Sequence, residues 1–434
     1  MSGQREVILN VNVLDVGFHP SAWRAPDLHP TSFIDPDYYT EVAQIAERGT
    51  LDALFLADGP ALREDPAVKP TRALEPTTVL GVVASATEHL GLIGTASTTF
   101  NDPVELADRF LSLDVVSGGR VAWNVVTTFH AGTAHNFGLS EIPDRESRYR
   151  RATEFVDVVT ALWESAATLA PVRHDGEYFH VHGVLPVPPS PQGHPLLVQA
   201  GGSPQGRALA GRSADAVFSA ELTLDAGRQH YREVKDVARI AGRDPHAVKI
   251  LPGLVTVVGS TEAEAIARYE DWESKAADGF SAERLSGMLG VDLSSLDPDR
   301  PIPEELLLAP VDPSFAGSLG FREAVVRLAL ESRYSVSELL RKAGGFGHRL
   351  VVGSPEQIAD TIEEWFLAGA ADGFNLMPDG FPSGLTDFVD HVVPLLRDKG
   401  IFRYEYAEST LRERFEGAPH SRAAEPPPRV SGRR

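Results

Sequence analysis

The segment Gly201-Gly202-Ser203 has residue types that could bind an anion. It follows the apolar run PLLVQA and precedes PQGRALAGRSA, a stretch of small residues typical of a helix. The first turn of a helix has unpartnered backbone N–H groups and the positive end of the helix dipole, so it attracts anions. The glycines would let the backbone approach an oxygen closely, and Ser203 could cap the helix and donate its hydroxyl. A capped turn without a ligand explains the same residues, and both interpretations stay open.

This segment matches neither of the common nucleotide-binding glycine motifs. Ser203 stands where a dinucleotide fingerprint needs its second glycine, and no Gly-Lys-Ser/Thr of a P-loop is present. The stretch GGSPQG also does not fit the G-x-S-x-G of a hydrolase. Metal chemistry has little support, because no H-E-x-x-H occurs and His180 and His182, on one face of a predicted hairpin, have no evident carboxylate partner. We therefore expect no catalytic metal.

Polar residues also interrupt or follow other apolar runs. Asp58-Gly59 ends one run, Thr95 lies near the end of another, and Asn124 stands between Trp123 and Val125 in a third. Any strand can end in polar residues, and Asp58 alone would be an ordinary turn residue. Asn124 is the most informative of these positions, because an amide in a buried run needs a hydrogen-bond partner.

The elements that must position these residues alternate between strand-like and helix-like patterns. Eight apolar runs without polar alternation predict buried parallel strands, most of them followed directly by helical periodicity. We therefore predict an α/β fold, a TIM (β/α)8 barrel, whose functional residues gather at the carboxyl ends of the strands. The predicted strands span 7–14, 51–58, 92–97, 120–127, 195–201, 215–220, 248–259 and 373–378.

The chain is longer than a minimal barrel and must carry insertions. We expect a single barrel domain over 1–416, with insertions near 128–144, 166–194 and 277–350 and a disordered tail over 417–434. The third insertion is rich in Pro, Leu and Glu and is a candidate lid.

The composition limits the function classes. The 434 residues carry a formal net charge of −21, which argues against nucleic acid and anionic membranes as partners. Cysteine is absent, which excludes disulfides, thiol catalysis and Cys-ligated metals. No run approaches the roughly 18 apolar residues of a membrane span. The start MSGQREVILN leads from its charged residues straight into a strand-like run, so we expect a cytoplasmic protein.

Four long motifs together resemble one family of flavin enzymes. The sequence is similar, to about residue 400, to the flavin-dependent monooxygenases of the nitrilotriacetate monooxygenase, pristinamycin IIA synthase and dibenzothiophene-sulfone monooxygenase type, within the bacterial-luciferase-like superfamily. The motifs are FIDPDYYTEVAQIAERGTLDALFLADGP, TASTTFNDPVELADRFLSLDVVSGGRVAWNVVTT, NFG followed by RYRRATEFVDVV, and VQAGGSPQGRALAGRSADAVFSA.

The resemblance implies a luciferase-like TIM barrel that binds FMN, as FMNH2, without a covalent bond. It implies that a separate NAD(P)H:flavin reductase supplies FMNH2, and that O2 oxygenates a small organic substrate through a C4a-(hydro)peroxyflavin. It also implies a homodimer or higher homo-oligomer. Relatives often have histidine four residues before the tyrosine of the third motif, where this chain has arginine. By matching positions, the cofactor-binding residues are Asp58, Thr95, Asn124, Arg145, Tyr149, Gly202 and Ser203, with Tyr149 and Ser203 on the phosphate.

The resemblance leaves the acid–base residues and the substrate open. His19, His130 and His135 are candidates for acid–base catalysis, and each could equally be a histidine of a surface loop. A polyanionic substrate would need basic residues at the pocket mouth, for which the candidates are Arg24, Arg120, Arg145 and Arg173. Three alternatives remain: a deazaflavin-dependent oxidoreductase of the same superfamily, a flavin-binding protein without turnover, and a plain TIM-barrel hydrolase.

Overall fold

Strands and helices alternate along most of the chain. The computed structural model describes residues 5–25, 31–62, 73–275, 282–312, 315, 319–342 and 347–417. The tail predicted after Gly417 lies outside the described residues, as do parts of the candidate lid. The strands are β1 Ile8–Val13, β2 Ala53–Leu56, β3 Gly91–Ser97, β4 Val121–Val126, β5 Val172–Asp175, β6 His180–Gly183, β7 Leu196–Ala200, β8 Ala216–Ser219, β9 Lys249–Val258, β10 Arg349–Gly353 and β11 Gly373–Pro378.

The helices pack around these strands. They are α1 Pro36–Arg48, α2 Pro76–Ala86, α3 Pro103–Val116, α4 Ala131–Asn136, α5 Arg145–Thr168, α6 Pro204–Ser213, α7 Leu224–Ile240, α8 Glu262–Lys275, α9 Ala282–Leu289, α10 Glu304–Leu307, α11 Leu319–Ser332, α12 Val336–Lys342, α13 Pro355–Leu367, α14 Ser383–Asp387, α15 Val393–Asp398 and α16 Leu411–Glu416. Several begin with a capping Asp or Ser followed by proline, which presets the first turn; the caps are Asp35, Asp102, Ser203 and Ser354.

Eight parallel strands close into a barrel in the order β1-β2-β3-β4-β7-β8-β9-β11, with β11 pairing back onto β1. Following the register once around the barrel displaces the chain by about eight residues, the shear of a TIM barrel. The predicted (β/α)8 fold is confirmed. All eight carboxyl ends lie at one mouth, and residues that follow the strands are brought together there.

The strand β10 was not predicted and lies outside this ring. It pairs in parallel with the second half of β9, whereas β8 pairs with the first half of the same strand. Because β11 occupies the other edge of β9, the strands β8 and β10 share one edge, and β10 extends the wall beyond the mouth. Gly347 and His348, the described residues directly before β10, are therefore positioned near the mouth of the barrel.

The helix α2 ends earlier than its apolar pattern indicates. The pattern predicts a helix over 77–91, whereas α2 stops at Ala86 and β3 begins at Gly91. The reason is a long-range contact, because the carboxylate of Glu47 accepts hydrogen bonds from three consecutive backbone N–H groups over 88–90. These bonds turn the chain into β3.

Three of the apolar clusters among the described residues organise the barrel and the helices around it. The largest lies between the barrel strands and the outer helices, and a second fills the barrel interior, where Leu411 and Phe415 of α16 close the amino end. The third cluster joins the helices α9 to α12 to one another and includes Leu222 after β8. No helix in the described part of the chain is long and apolar enough to cross a membrane.

Candidate active site

The turn between β7 and α6 has open hydrogen-bond donors. The Oγ of Ser203 caps α6 by accepting from the N–H of Gly206 at 3.1 Å, and it lies 3.3 Å from the hydroxyl of Tyr149, to which it donates. None of the backbone hydrogen bonds between described residues outside helices and strands uses the N–H of Gly202 or Ser203. Two amides and two hydroxyls therefore surround the start of a ten-residue helix. This is the donor set of an anion site.

Glycine is required at this turn for steric reasons. A Cβ at Gly206 would lie 2.8 Å from the carbonyl oxygen of Gly201, and a Cβ at Gly201 would lie 3.2 Å from the hydroxyl of Tyr149. Gly320, at the start of α11, lies close to Gly202, since a Cβ on Gly202 would be 3.4 Å from the Cα of Gly320. The helix α11, which belongs to the predicted insertion 277–350, therefore begins next to the turn.

Asn124 and Thr95 form a second polar group inside the barrel. The side-chain amide of Asn124 donates to Oγ1 of Thr95 at 2.8 Å, and both residues are buried. The Oδ1 of Asn124 has no hydrogen-bond partner among the described residues. The neighbouring Trp123 points the other way, packs on Phe155 and donates its indole N–H to the carbonyl of Ala96. Strand alternation therefore puts Asn124 in the barrel interior.

Three further asparagines belong to this polar interior and were not predicted from the sequence. Asn10 donates to Oδ1 of Asn375 at 3.1 Å, and Asn375 donates to the carbonyl of Leu251. The Oδ1 atoms of Asn10 and Asn12 have no hydrogen-bond partner among the described residues. Their signal in the sequence is the one that pointed to Asn124, an amide inside an apolar run, as in ILNVNV and GFNLMP.

The start of α5 supplies arginines beside the turn. Arg145 is half-buried, lies four residues before Tyr149 and so shares its helix face. Arg148 is buried, donates to the carbonyl of Thr128 at 2.8 Å and has an Nε without a partner among the described residues. Burial lowers the pKa of Arg148, but an arginine still remains charged. Arg148 was not singled out from the sequence.

The remaining predicted residues line the mouth at other positions. Asp58 lies two residues beyond β2 and is half-buried, and the loop that contains it is tied to α4 by a 2.8 Å bond from Asn136 to the carbonyl of Pro60. His130 immediately precedes α4 and is half-buried. His135, in the last turn of α4, is exposed and lies 3.2 Å from the carbonyl of Ser140.

His19 holds the loop after β1 against α8. Its Nδ1 lies 2.7 Å from the hydroxyl of Ser21, its Nε2 lies 3.0 Å from Glu273, and its ring stacks on Trp272. Both ring nitrogens of this buried residue are therefore engaged in contacts that fix the loop. Any acid–base role would have to break one of them.

Two sequence expectations about charged groups need correction. Arg120, a candidate for the pocket mouth, precedes β4 at the amino end of the barrel and donates to the carbonyl of Leu90. It is therefore at the wrong end to meet a substrate. His180, which had no evident carboxylate partner, pairs with Asp175 across the hairpin β5–β6, where both are exposed. Within the described residues no group of three or more His, Asp or Glu side chains could hold a metal ion.

A buried histidine that the sequence analysis missed lies at the mouth. His348, just before β10, stacks on Phe218 at a centroid distance of 5.0 Å and meets Phe321 of α11 edge-on at 5.1 Å. Burial lowers its pKa to about 4, so the ring is neutral at pH 7. Nothing in the local sequence signals this position, because it depends on β10 lying beside β9.

These features define a class of protein. The chain is a TIM barrel whose turn after the fifth barrel strand has backbone N–H groups that make no backbone hydrogen bond, and it has a polar interior below the mouth. Unpaired N–H donors at a helix start, next to a polar barrel interior, are typical of a binding site for a phosphorylated ligand.

Comparison with known proteins identifies the family. The family model described as luciferase-like monooxygenase matches residues 16–372. Component A of nitrilotriacetate monooxygenase from Aminobacter aminovorans is 41% identical over 428 residues, which cover 92% of this chain and 93% of that protein. The chain therefore belongs to the luciferase-like monooxygenase family and is an enzyme of that family, which confirms the resemblance expected from its motifs.

Solved structures agree with this assignment. EDTA monooxygenase from Chelativorans sp. BNC1 superimposes with a TM-score of 0.80 at 35% identity, covering 95% of this chain and 98% of that one. A riboflavin lyase, whose structure contains modified FMN and the substrate riboflavin, has a TM-score of 0.80 at 30% identity and covers 96% of both chains.

Proposed function

We propose that this chain is the oxygenating component of a two-component monooxygenase. It binds FMNH2 delivered by a separate NAD(P)H:flavin reductase and uses O2 to oxygenate a small organic substrate. The observation that carries the proposal is the open donor set at Gly202, Ser203 and Tyr149, located at the barrel mouth of a chain from this family. Membership of this family implies a flavin cofactor, and the turn has enough hydrogen-bond donors to bind one phosphate group.

The residues present fit FMN. The backbone N–H groups of Gly202 and Ser203, with the hydroxyls of Ser203 and Tyr149, would hold the phosphate, and Arg145 lies on the same helix face as Tyr149. The tight glycine turn lets the phosphate approach the backbone closely. FMN has a single phosphate, so the chain needs no second phosphate subsite.

The rest of the flavin would extend from this turn over the barrel interior. Asn124 and Thr95 lie there, with an amide oxygen free to accept a hydrogen bond, and Asp58 stands at the mouth beyond β2. When bound, reduced FMN supplies the electrons that activate O2. The chain's own task is to orient the flavin and the substrate and to exclude water, for which the segment 277–350, in contact with Gly202 through Gly320, is the candidate cover.

The roles of His19, His130 and His135 in acid–base catalysis remain proposals. Of the three, His130 best combines partial burial with a position after β4, where Asn124 lies. His19 is engaged through both nitrogens, and His135 is exposed. Association into a homodimer or larger homo-oligomer is likewise proposed from the family.

Oxygen consumption tests the function directly. The purified chain is supplied with FMN, NADH, a flavin reductase and a panel of substrates, which includes aminopolycarboxylates and aromatic sulfones because relatives are named for both. The proposal predicts O2 uptake coupled to formation of an oxygenated product. Turnover with reduced deazaflavin but not with FMNH2 would instead identify the chain as a deazaflavin-dependent oxidoreductase. Binding of FMNH2 followed only by stoichiometric peroxide would favour a flavin-binding protein without turnover, and absence of flavin binding would favour a hydrolase.

A further inference from the structure

The inward-facing side chains of the barrel are stacked in layers, called levels here. In the level nearest the mouth, one of the four positions is a glycine and supplies no side chain. Because the strands are tilted, alternate strands contribute to one level. The register places Asn12 of β1, Thr95 of β3, Ala200 of β7 and Gly253 of β9 together. The level below confirms this register, since Phe55 and Phe218 from opposite sides of the barrel meet edge-on at 5.5 Å.

A residue from outside the barrel takes the place of the missing side chain. A Cβ at Gly253 would overlap Nδ1 of His348 and would lie 2.8 Å from the sulfur of Met377. The imidazole therefore occupies the space that any other residue at 253 would fill. It lies across the barrel from Thr95, which is bonded to Asn124. His348 completes the floor on which a ligand at the mouth would rest.

The hydrogen bonds of His348 fix which nitrogen is left to accept a hydrogen bond. The backbone carbonyl of Ser219 accepts a hydrogen bond from the imidazole, and Nδ1 has no partner among the described residues. A carbonyl can only accept, so Nε2 carries the proton and Nδ1 of the neutral ring holds a lone pair. A buried acceptor without a partner is rare in proteins and calls for an explanation.

The start of α11 lies next to both the turn and the imidazole of His348. Gly320 lies close to Gly202, and the next residue, Phe321, packs edge-on against His348. A ligand that reaches from the turn to the imidazole would therefore pass beside the start of α11.

We infer that His348 is a flavin-contacting residue whose Nδ1 accepts a hydrogen bond from the part of the flavin beyond its phosphate, either a ribityl hydroxyl or the ring N–H. This inference rests on the proposed function, because the ligand is the flavin of that site. It assigns a function to a residue that belongs neither to the turn nor to the polar pair of Thr95 and Asn124.

Flavin binding to two variants tests the inference. His348→Phe keeps an aromatic ring on Phe218 but removes both nitrogens, whereas His348→Asn retains an amide near the position of Nδ1. Dissociation constants for FMN, riboflavin and lumiflavin are measured by fluorescence quenching, together with the visible absorption spectrum of each bound flavin. We expect His348→Phe to weaken FMN and riboflavin equally, by about tenfold, the loss of one buried hydrogen bond, and to shift the bound spectrum. His348→Asn should restore most of the affinity.

The three flavins show whether the donor is on the ribityl chain or on the flavin ring. They also separate failure of the His348 inference from failure of the proposed function. Weaker binding of lumiflavin by His348→Phe assigns the donor to the ring, and unchanged lumiflavin binding assigns it to the ribityl chain. Wild-type affinities and spectra for all three flavins in His348→Phe would overturn the inference while the proposed function stands. Failure of the wild-type chain to bind any flavin would instead overturn the proposed function.

If His348→Phe does not fold, Gly253→Ala provides a second test, because its methyl group pushes the imidazole aside without removing it. Gly253→Ala should weaken the binding of FMN and riboflavin equally. Unchanged binding of both flavins by Gly253→Ala would contradict the inference.

Discussion

At the scale of single residues, Ser203 combines two functions that substitution can separate. It caps α6 and lies beside the hydroxyl of Tyr149. Aspartate is as good a helix cap as serine, so Ser203→Asp should leave the free energy of unfolding nearly unchanged. The added negative charge opposes a phosphate, and we expect FMN affinity to fall by more than tenfold. Riboflavin, which has no phosphate, should bind as it does to the wild type.

Ser203→Ala is the matched control for this prediction. It removes the cap and should cost about 1 kcal/mol of stability, but it introduces no charge and should reduce FMN affinity less than aspartate does. Fluorescence titration and urea unfolding measure both quantities. Equal FMN affinities for Ser203→Asp and the wild type would remove Ser203 from the phosphate site.

His348 should also make the stability of the protein depend on pH. Its pKa is lowered to about 4 in the folded chain, against about 6.5 when unfolded. The native state therefore binds fewer protons than the unfolded state between these values, and its stability falls as the pH decreases through that window. The full shift corresponds to about 3 kcal/mol, most of which is expressed between pH 7 and 4.5.

His348→Asn isolates this contribution, because the carboxylates of the protein titrate in both proteins. We expect urea unfolding at pH 7 and 4.5 to show a loss of stability about 2 kcal/mol smaller in the variant than in the wild type. Equal losses in the two proteins would mean that the imidazole is solvated in the folded state.

Residue-level chemistry was predictable where it followed from local pattern. Asn124 and the turn at Ser203 stood out because an amide in an apolar run and a glycine turn before a helix are visible in a short window. His348 was not visible, because its place depends on the pairing of β10 with β9 and on the absent side chain of Gly253. The position of Arg120 was also not predictable from a short window, because its partners depend on its lying at the amino end of the barrel.

At the scale of elements, the barrel strands were predictable because each is buried on both faces and therefore reads as an apolar run. The strand β10, RLVVG, has a similar composition but is only half-buried over most of its length. Its partner edge exists only because β8 leaves β9 halfway. The end of α2 was missed for a comparable reason, since Glu47 of another helix fixes it.

The short helix α16 closes the amino end of the barrel, far from the mouth. Leu411 is fully buried in the interior cluster, and Arg414 donates to the carbonyls of Asp52 and His89. Leu411→Ala should leave a cavity and lower the free energy of unfolding by about 3 kcal/mol. FMN affinity should not change, because α16 does not touch the mouth.

Leu367→Ala is the control for α16, since Leu367 is 68% exposed at the end of α13. It should change stability by less than about 0.5 kcal/mol. Chemical denaturation and FMN titration of both variants provide the comparison. A large loss of FMN affinity in Leu411→Ala at a temperature where it remains folded would show that the two ends of the barrel are coupled.

At the scale of the whole molecule, the barrel separates a stabilising end from a functional end. The amino end holds Arg120, Arg414 and the buried ion pair of Arg403 with Asp52 at 2.8 Å. Toward the mouth, Asn12, Asn124 and His348 each have a buried polar atom without a partner among the described residues, whereas at the amino end such an atom occurs on Arg414, its Nε. Unpartnered buried groups cost stability, and such strain is expected where a ligand completes the structure.

Hydrogen exchange of the whole chain tests this division. Amides that exchange only through global unfolding should slow everywhere by about a hundredfold at an FMN concentration of 100 times Kd, because FMN binds the folded state alone. Amides that exchange through local opening should slow only where FMN contacts the chain. We expect that second effect at the turn of Gly202 and Ser203, at the start of α5 and at His348, and not in α16. Riboflavin lacks the phosphate. It should therefore slow exchange at His348 but leave exchange at the turn close to the rate of the unliganded protein.

Local protection in α16 but not at the turn would place the ligand at the amino end of the barrel and contradict the proposed flavin site.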